Sequence, residues 1–169
     1  MKIIKILAAL VALIIFALAI GYLIMGYTLP DETVVKSEFD VAAPPEKVWQ
    51  ALNDHEKYPE WAPNIVKVEV VNDKQWREWP KDSDMPLAFT IISEKPPEQL
   101  EIGYTMGDFF EGHWKGEIKA TPAGSHVIVE DRMRTKTWAT KIMMYPFFDF
   151  NEFVKTWNTK LKERAESLK

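Results

Sequence analysis

The sequence predicts an α+β domain, an antiparallel sheet covered on one face by a long C-terminal helix, carried behind one N-terminal transmembrane helix. Three observations predict it. An apolar run without charge extends from Ile6 to Met25, alternating strands fill residues 33 to about 137, and an apolar stripe of helical period closes the chain. At ~1.5 Å per residue the first run makes a helix ~30 Å long, about the thickness of a bilayer's hydrocarbon core.

Flanking charge orients that helix. Lys2 and Lys5 precede the run, Asp31 and Glu32 follow it, and the next cation is Lys36. Positive charge stays on the cytoplasmic side, so the expected topology has the amino terminus inside and the domain outside the cytoplasmic membrane. Tyr22 and Tyr27 lie near the exit, where amphipathic rings suit the headgroup level. The alternative is a cleaved signal peptide, since Ala17-Leu18-Ala19 resembles an A-x-A site. Cleavage there would leave Ile20 to Met25 as an apolar new terminus. The division expected is an anchor and short tether over 1–29 and one domain over 30–169.

All 25 acidic residues fall after Pro30, with all of the 21 basic ones except Lys2 and Lys5, which leaves that part at net −6. An acidic domain without a basic stripe argues against nucleic acid and against electrostatic docking on anionic lipid. Absence of cysteine removes disulfides, thiolate chemistry and Cys-based metal sites.

The first strand is expected over 33–41, with Val35, Ser37, Phe39 and Val41 on one face. Pro45 then opens a helix bearing Val48, Trp49, Ala51 and Leu52, since proline is tolerated in a first turn. Asn53-Asp54-His55 breaks it, and Tyr58 to Trp61 forms a second short turn before Pro63. Strand 65–71 is expected to put Val66, Val68 and Val70 on one face. Residues 75–79 form a strand whose faces the pattern does not assign. Strand 87–93 follows, and then Leu100, Ile102, Tyr104 and Met106 alternate with polar neighbours. So do Phe110, Gly112, Trp114, Gly116 and Ile118, and, after the turn at 121–125, Val127, Val129, Asp131 and Met133. One apolar and one wet face per strand mark a sheet covered on one side. Phe150, Phe153, Val154, Trp157, Leu161, Ala165 and Leu168 recur at three and four residues, and this stripe is the natural cover.

The order strand, two short helices, antiparallel strands, long terminal helix is similar to the START-like helix-grip superfamily, also called SRPBCC. Val-Ala-Ala-Pro-Pro-Glu-Lys-Val-Trp-Gln-Ala-Leu (41–52), followed by Tyr-Pro-Glu-Trp-Ala-Pro (58–63), resembles the opening of its bacterial polyketide-cyclase/dehydrase and lipid-transport branch. Ala-Thr-Pro-Ala-Gly-Ser-His-Val (120–127) looks like that branch's late turn. The resemblance covers roughly residues 33 to 168. It implies a curved sheet wrapped on the C-terminal helix, with a deep apolar cavity between them that takes lipids, quinones, steroids or polyketides. The anchor is a departure from many relatives.

Composition points the same way. Seven Trp, together with Met106, Met133, Met143 and Met144, exceed what a small core needs. Gly112 and Gly116 flank Trp114 on an inward face, where glycine weakens a strand; they either leave room for a ligand or mark curvature. Tyr104, Trp114, Trp79, Phe110, Asp131 and Trp157 are the residues expected to line the site. Asp131 is the one acid that alternation turns inward. In an apolar cavity its pKa would rise, and it could anchor a ligand or act as a general acid. A bulge could instead rotate it outward, or Arg132 or Arg134 could neutralise it. Ser37 is another inward polar group. His113 shares its strand with Glu111 and Glu117, but all three fall on the wet face; His55 and His126 fall in turns. No metal site and no cofactor is expected, and no phosphate loop, H-E-x-x-H or G-x-S-x-G occurs. The leading expectation is a membrane-tethered binding module for a hydrophobic small molecule. A cyclase/dehydratase-type enzyme using Asp131, and a module docking an envelope protein without ligand, are the alternatives.

Overall fold

The computed structural model describes residues 2–168, and every strand in it is antiparallel to its neighbours. The sheet has seven strands: β1 (Glu32–Val41), β2 (Ile65–Asn72), β3 (Gln75–Pro80), β4 (Leu87–Lys95), β5 (Gln99–Met106), β6 (Phe110–Thr121) and β7 (Gly124–Thr135). Their order is β1-β7-β6-β5-β4-β3-β2, a meander whose last strand returns to pair with the first. Helix α5 (Phe150–Ser167) covers the inward face, and α2 (Pro45–Asn53) and α3 (Tyr58–Trp61) close one side.

The alternation read from the sequence sets this packing. Val127, Val129, Leu100, Ile118 and Val41 meet Leu161 and Ala165 of α5 and Val48, Ala51 and Leu52 of α2 in one core. A second cluster joins Val35 and Met133 to Phe150 and Val154. Asp149 caps α5 by accepting from the Glu152 backbone N–H at 3.1 Å. On β2, Val68 packs on the core, but Val66 is 58% exposed. A register shift between Ile65 and Lys67 takes Val66 out of the alternation, a bulge on an edge strand.

The apolar N-terminal run forms α1 (Lys2–Thr28), 27 residues in all, and is long and apolar enough to cross a membrane. It continues past Met25, so only Leu29 to Asp31 separate it from β1. A helix absent from the sequence reading, α4 (Trp138–Met144), packs against its end. Thr137 caps α4, its hydroxyl accepting from the Thr140 N–H at 3.0 Å. The Trp138 indole meets Tyr22 edge to face at 5.5 Å and lies over Gly26, where a Cβ would fall 1.7 Å from its Nε1. The buried Lys141 ammonium donates to the carbonyls of Gly26 (3.2 Å) and Leu29 (3.1 Å) and pairs with Asp31. It thereby satisfies a helix C-terminus that has lost its own donors. That ion pair and hydrogen bond hold the Asp31 carboxyl below its ordinary pKa.

Candidate ligand cavity

Between the sheet and α5 lies a cavity of about 700 Å³, within the roughly 300–1,000 Å³ usual for small-molecule sites. Rings build its walls. Trp76 stacks between His55 (3.8 Å) and Phe89 (5.1 Å), and Phe89 meets Tyr104 (5.7 Å), which meets Phe110 (6.4 Å). From the helical side, Trp157 contacts Trp114 (6.2 Å), Trp61 (5.7 Å) and Tyr58 (6.4 Å). Such tilted and offset contacts hold large rings in fixed positions.

Of the six residues expected to line a site, Tyr104, Trp114, Phe110, Asp131 and Trp157 do line this cavity. Trp79 does not. It projects from the outer face of β3, where the Lys67 ammonium sits 4.2 Å from its ring. The inward residues of β3 are Trp76 and Glu78, paired in register with Phe89 and Leu87 of β4. Each face of Gln75–Pro80 offers one Trp and one charge, Trp76 with Glu78 or Arg77 with Trp79, so alternation alone could not choose. Arg77 completes the outer face by pairing with Glu69 at 2.9 Å.

Asp131 points inward and is 7% exposed. No bulge rotates it, because the β6–β7 register runs unbroken from Phe110–Thr135 to Thr121–Gly124. No arginine neutralises it either: Arg132 turns outward to Glu130 (2.6 Å), and Asp131 accepts the Tyr104 phenol at 2.8 Å. Burial pushes its pKa up to about 7, against the opposing pull of that phenol and the Arg132 backbone. Glu78, 5% exposed, is a second such acid. Burial raises it to about 7 as well, although the Trp76 indole donates to it at 2.7 Å. Both therefore exchange a proton near neutrality. Among the described residues, Lys81 is the only basic one in the lining.

Asn158 of α5, unremarked in the sequence, is the third buried polar group. Its Nδ2 donates to Ser37 Oγ at 2.7 Å, and its Oδ1 is buried without a partner while the residue lines the cavity. Ser37 is thus occupied in orienting Asn158. His55 is not the simple turn residue expected, since it stacks on Trp76 and burial lowers its pKa to about 4, leaving the ring neutral. His113 stays on the outer face, 3.9 Å from Glu101. Among the described residues no group of three His, Cys, Asp or Glu could hold a metal ion.

The two glycines have a different use from either one expected. A Cβ on Gly112 would lie 2.0 Å from Tyr104 Cζ, and one on Gly116 would lie 2.3 Å from Trp114 Cη2. The space they leave is filled by rings of this chain, and Gly112 lets the Tyr104 phenol cross β6 to reach Asp131. Gly112→Ala is therefore expected to displace the Tyr104 ring and cost about 1–3 kcal/mol of stability, as overpacking does. Thermal unfolding alongside the chemical shifts of the Tyr104 ring checks this; an unmoved ring contradicts it.

Comparison with known proteins agrees with this architecture. The family model described as polyketide cyclase / dehydrase and lipid transport matches residues 41–150. Among solved structures, the Zhui aromatase/cyclase from Streptomyces sp. R1128 superposes with TM-score 0.67 at 13% identity, over 80% of this chain and 94% of that one. A START superfamily protein from Mycobacterium smegmatis gives TM-score 0.62 at 20% identity, over 82% and 99%. No curated protein matches by sequence. At these identities the structures establish a shared fold, and with the family match over most of its length this chain belongs to the polyketide cyclase / dehydrase and lipid transport family.

Proposed function

We propose that this protein is a membrane-tethered carrier that holds a hydrophobic small molecule between sheet and C-terminal helix. On this reading residues 1–29 are an uncleaved anchor and residues 30–169 a domain on the extracytoplasmic side. One observation carries the binding role: a large aromatic cavity whose buried polar groups include two acids, Asp131 and Glu78, and the Asn158 amide with its unpartnered oxygen. Apolar walls supply affinity, and sparse polar groups fix orientation. With Asp131 and Glu78 able to stay protonated at neutral pH, the site suits a neutral ligand bearing a carbonyl or hydroxyl, such as a lipid, quinone or polyketide. A tether on a bilayer raises the effective concentration of such a molecule. Native mass spectrometry of chain purified from membranes tests this. A discrete mass lost on organic extraction is expected; a clean apoprotein mass would contradict it.

A second reading rests on the Tyr104–Asp131 pair. An acid held near pKa 7 against the ligand space could deliver or remove a proton, as a cyclase or dehydratase requires. It requires Asp131→Asn to abolish turnover of a bound ligand while leaving binding intact.

A further inference from the structure

The strand register places every loop at the cavity mouth at one end of the sheet. Pro80 is opposite Ile65, Leu87 opposite Glu78, Met106 opposite Phe110, and Phe110 opposite Thr135, while Arg134 is opposite Glu32, the first residue of β1. The cavity lining reaches this end through residues 63–65, 80–82, 106, 109–110, 143–144 and 147–148, which we take as its mouth. The chain leaves α1 at the same end, and Leu29 to Asp31 span at most about 10 Å. Trp138, Lys141 and the capped end of α1 fasten the two together. The opposite end of the sheet carries the β6–β7 turn.

That mouth end is where the domain exposes large apolar side chains. Phe147 is 88% exposed and shares the cavity lining with the exposed Phe148, Met143 and Phe109, while Met85, beside Gly107, and Trp138, on α4, are exposed in segments that start from the same end of the sheet. Exposed aromatic and thioether groups gathered on one patch mark a surface that is covered in use. Helix α4, which carries Met143 of this rim, also carries Trp138, and that indole lies against Tyr22 and Gly26 on the exposed apolar helix α1. No basic stripe accompanies it; Asp82 and Asp84 lie in the same loop as Lys81, and Asp108 lies in the β5–β6 loop.

We propose that this rim is a membrane-docking surface, which seats the cavity mouth in the bilayer interface so that ligand passes between bilayer and cavity without crossing water. The proposal rests on the tethered-carrier reading. The occupant is the lipid surface that α1 enters: the short link leaves the rim no room to stand away from it, and Trp, Phe and Met suit the headgroup–acyl boundary. With mixed charge around the rim, docking is driven by apolar burial and is insensitive to salt.

The absence of cysteine makes a direct test simple. Single variants Ile14→Cys in α1, Phe147→Cys and Phe109→Cys on the rim, and Ala123→Cys on the far turn are labelled with an environment-sensitive fluorophore. The full chain is placed in phosphatidylcholine nanodiscs carrying acyl-chain spin labels. Expected are deep quenching at position 14, a blue shift with several-fold stronger quenching at 147 and 109 than at 123, and no change in 0.5 M salt (about 3–5 Å Debye length). Quenching at 14 with positions 147 and 109 no different from 123 would overturn the docking and leave the carrier reading standing. No quenching at 14 would remove the tether, and both proposals with it.

Discussion

Asp131→Asn and Glu78→Gln are each expected to raise the unfolding midpoint at pH 8 and to leave it nearly unchanged at pH 4. Both acids titrate near 4 in an unfolded chain and near 7 in the folded one, because burial penalises the charged form. Below pH 4 both states are protonated and the burial is harmless. As pH rises from 4 through 7 the unfolded state ionises first, so that stability is progressively lost. At about 1.4 kcal/mol per pK unit over roughly three units, the loss is of order 4 kcal/mol for each acid by pH 8. The amide variants keep the acceptor oxygens for Tyr104 and Trp76 and have nothing to ionise, so their pH profiles flatten. His55 acts in the opposite sense. Its lowered pKa removes stability as pH falls from 6.5 toward 4, so the acids are isolated by the difference between wild type and variant. Denaturant unfolding from pH 4 to 8 measures it; variants that destabilise more at pH 8 than at pH 4 would contradict the buried-acid account.

Filling the cavity is expected to remove its cargo without unfolding the protein. Met133 on β7 and Ile102 on β5, the two strands that flank β6, both line the space. Met133→Trp combined with Ile102→Trp adds two indole rings to about 700 Å³ of cavity, so overpacking strain is limited. Retained ligand should fall by about 100-fold, equivalent to roughly 3 kcal/mol, with the unfolding midpoint held within a few degrees. Undiminished cargo in a folded double variant would place the ligand elsewhere. Measuring midpoint and extract on one preparation separates loss of ligand from loss of fold.

Much of the cavity was legible from alternation because β5, β6 and β7 are regular. Once Val127 and Val129 face inward, Asp131 and Met133 must follow, and Tyr104 and Trp114 follow in their own strands. Where regularity fails, so did the reading. Val66 falls in a bulge, and β3 offers a tryptophan on either face, so nothing in the strand itself distinguishes Trp79, which lies outside, from Trp76 and Glu78, which line the cavity. The β4 register decides that case, and pairing between strands is not written in either strand alone. Asn158 was hidden for another reason: one amide within a stripe of apolar residues reads as surface until Ser37 is seen opposite it. Helix α4 is only seven residues long, too short for periodicity, although Thr137 as its cap was a usable signal. The glycines were recognised as making space, but tertiary packing determined that Tyr104 and Trp114 take it.

The measurement that tests the central claim most directly is an experimental structure of the full chain extracted from membranes without added ligand. The account predicts continuous density for an elongated apolar molecule between Trp76, Trp114 and Trp157, with a polar end within hydrogen-bond distance of Asp131, Glu78 or Asn158. A cavity closed by its own side chains, or density confined to the outer face of the sheet, would contradict it.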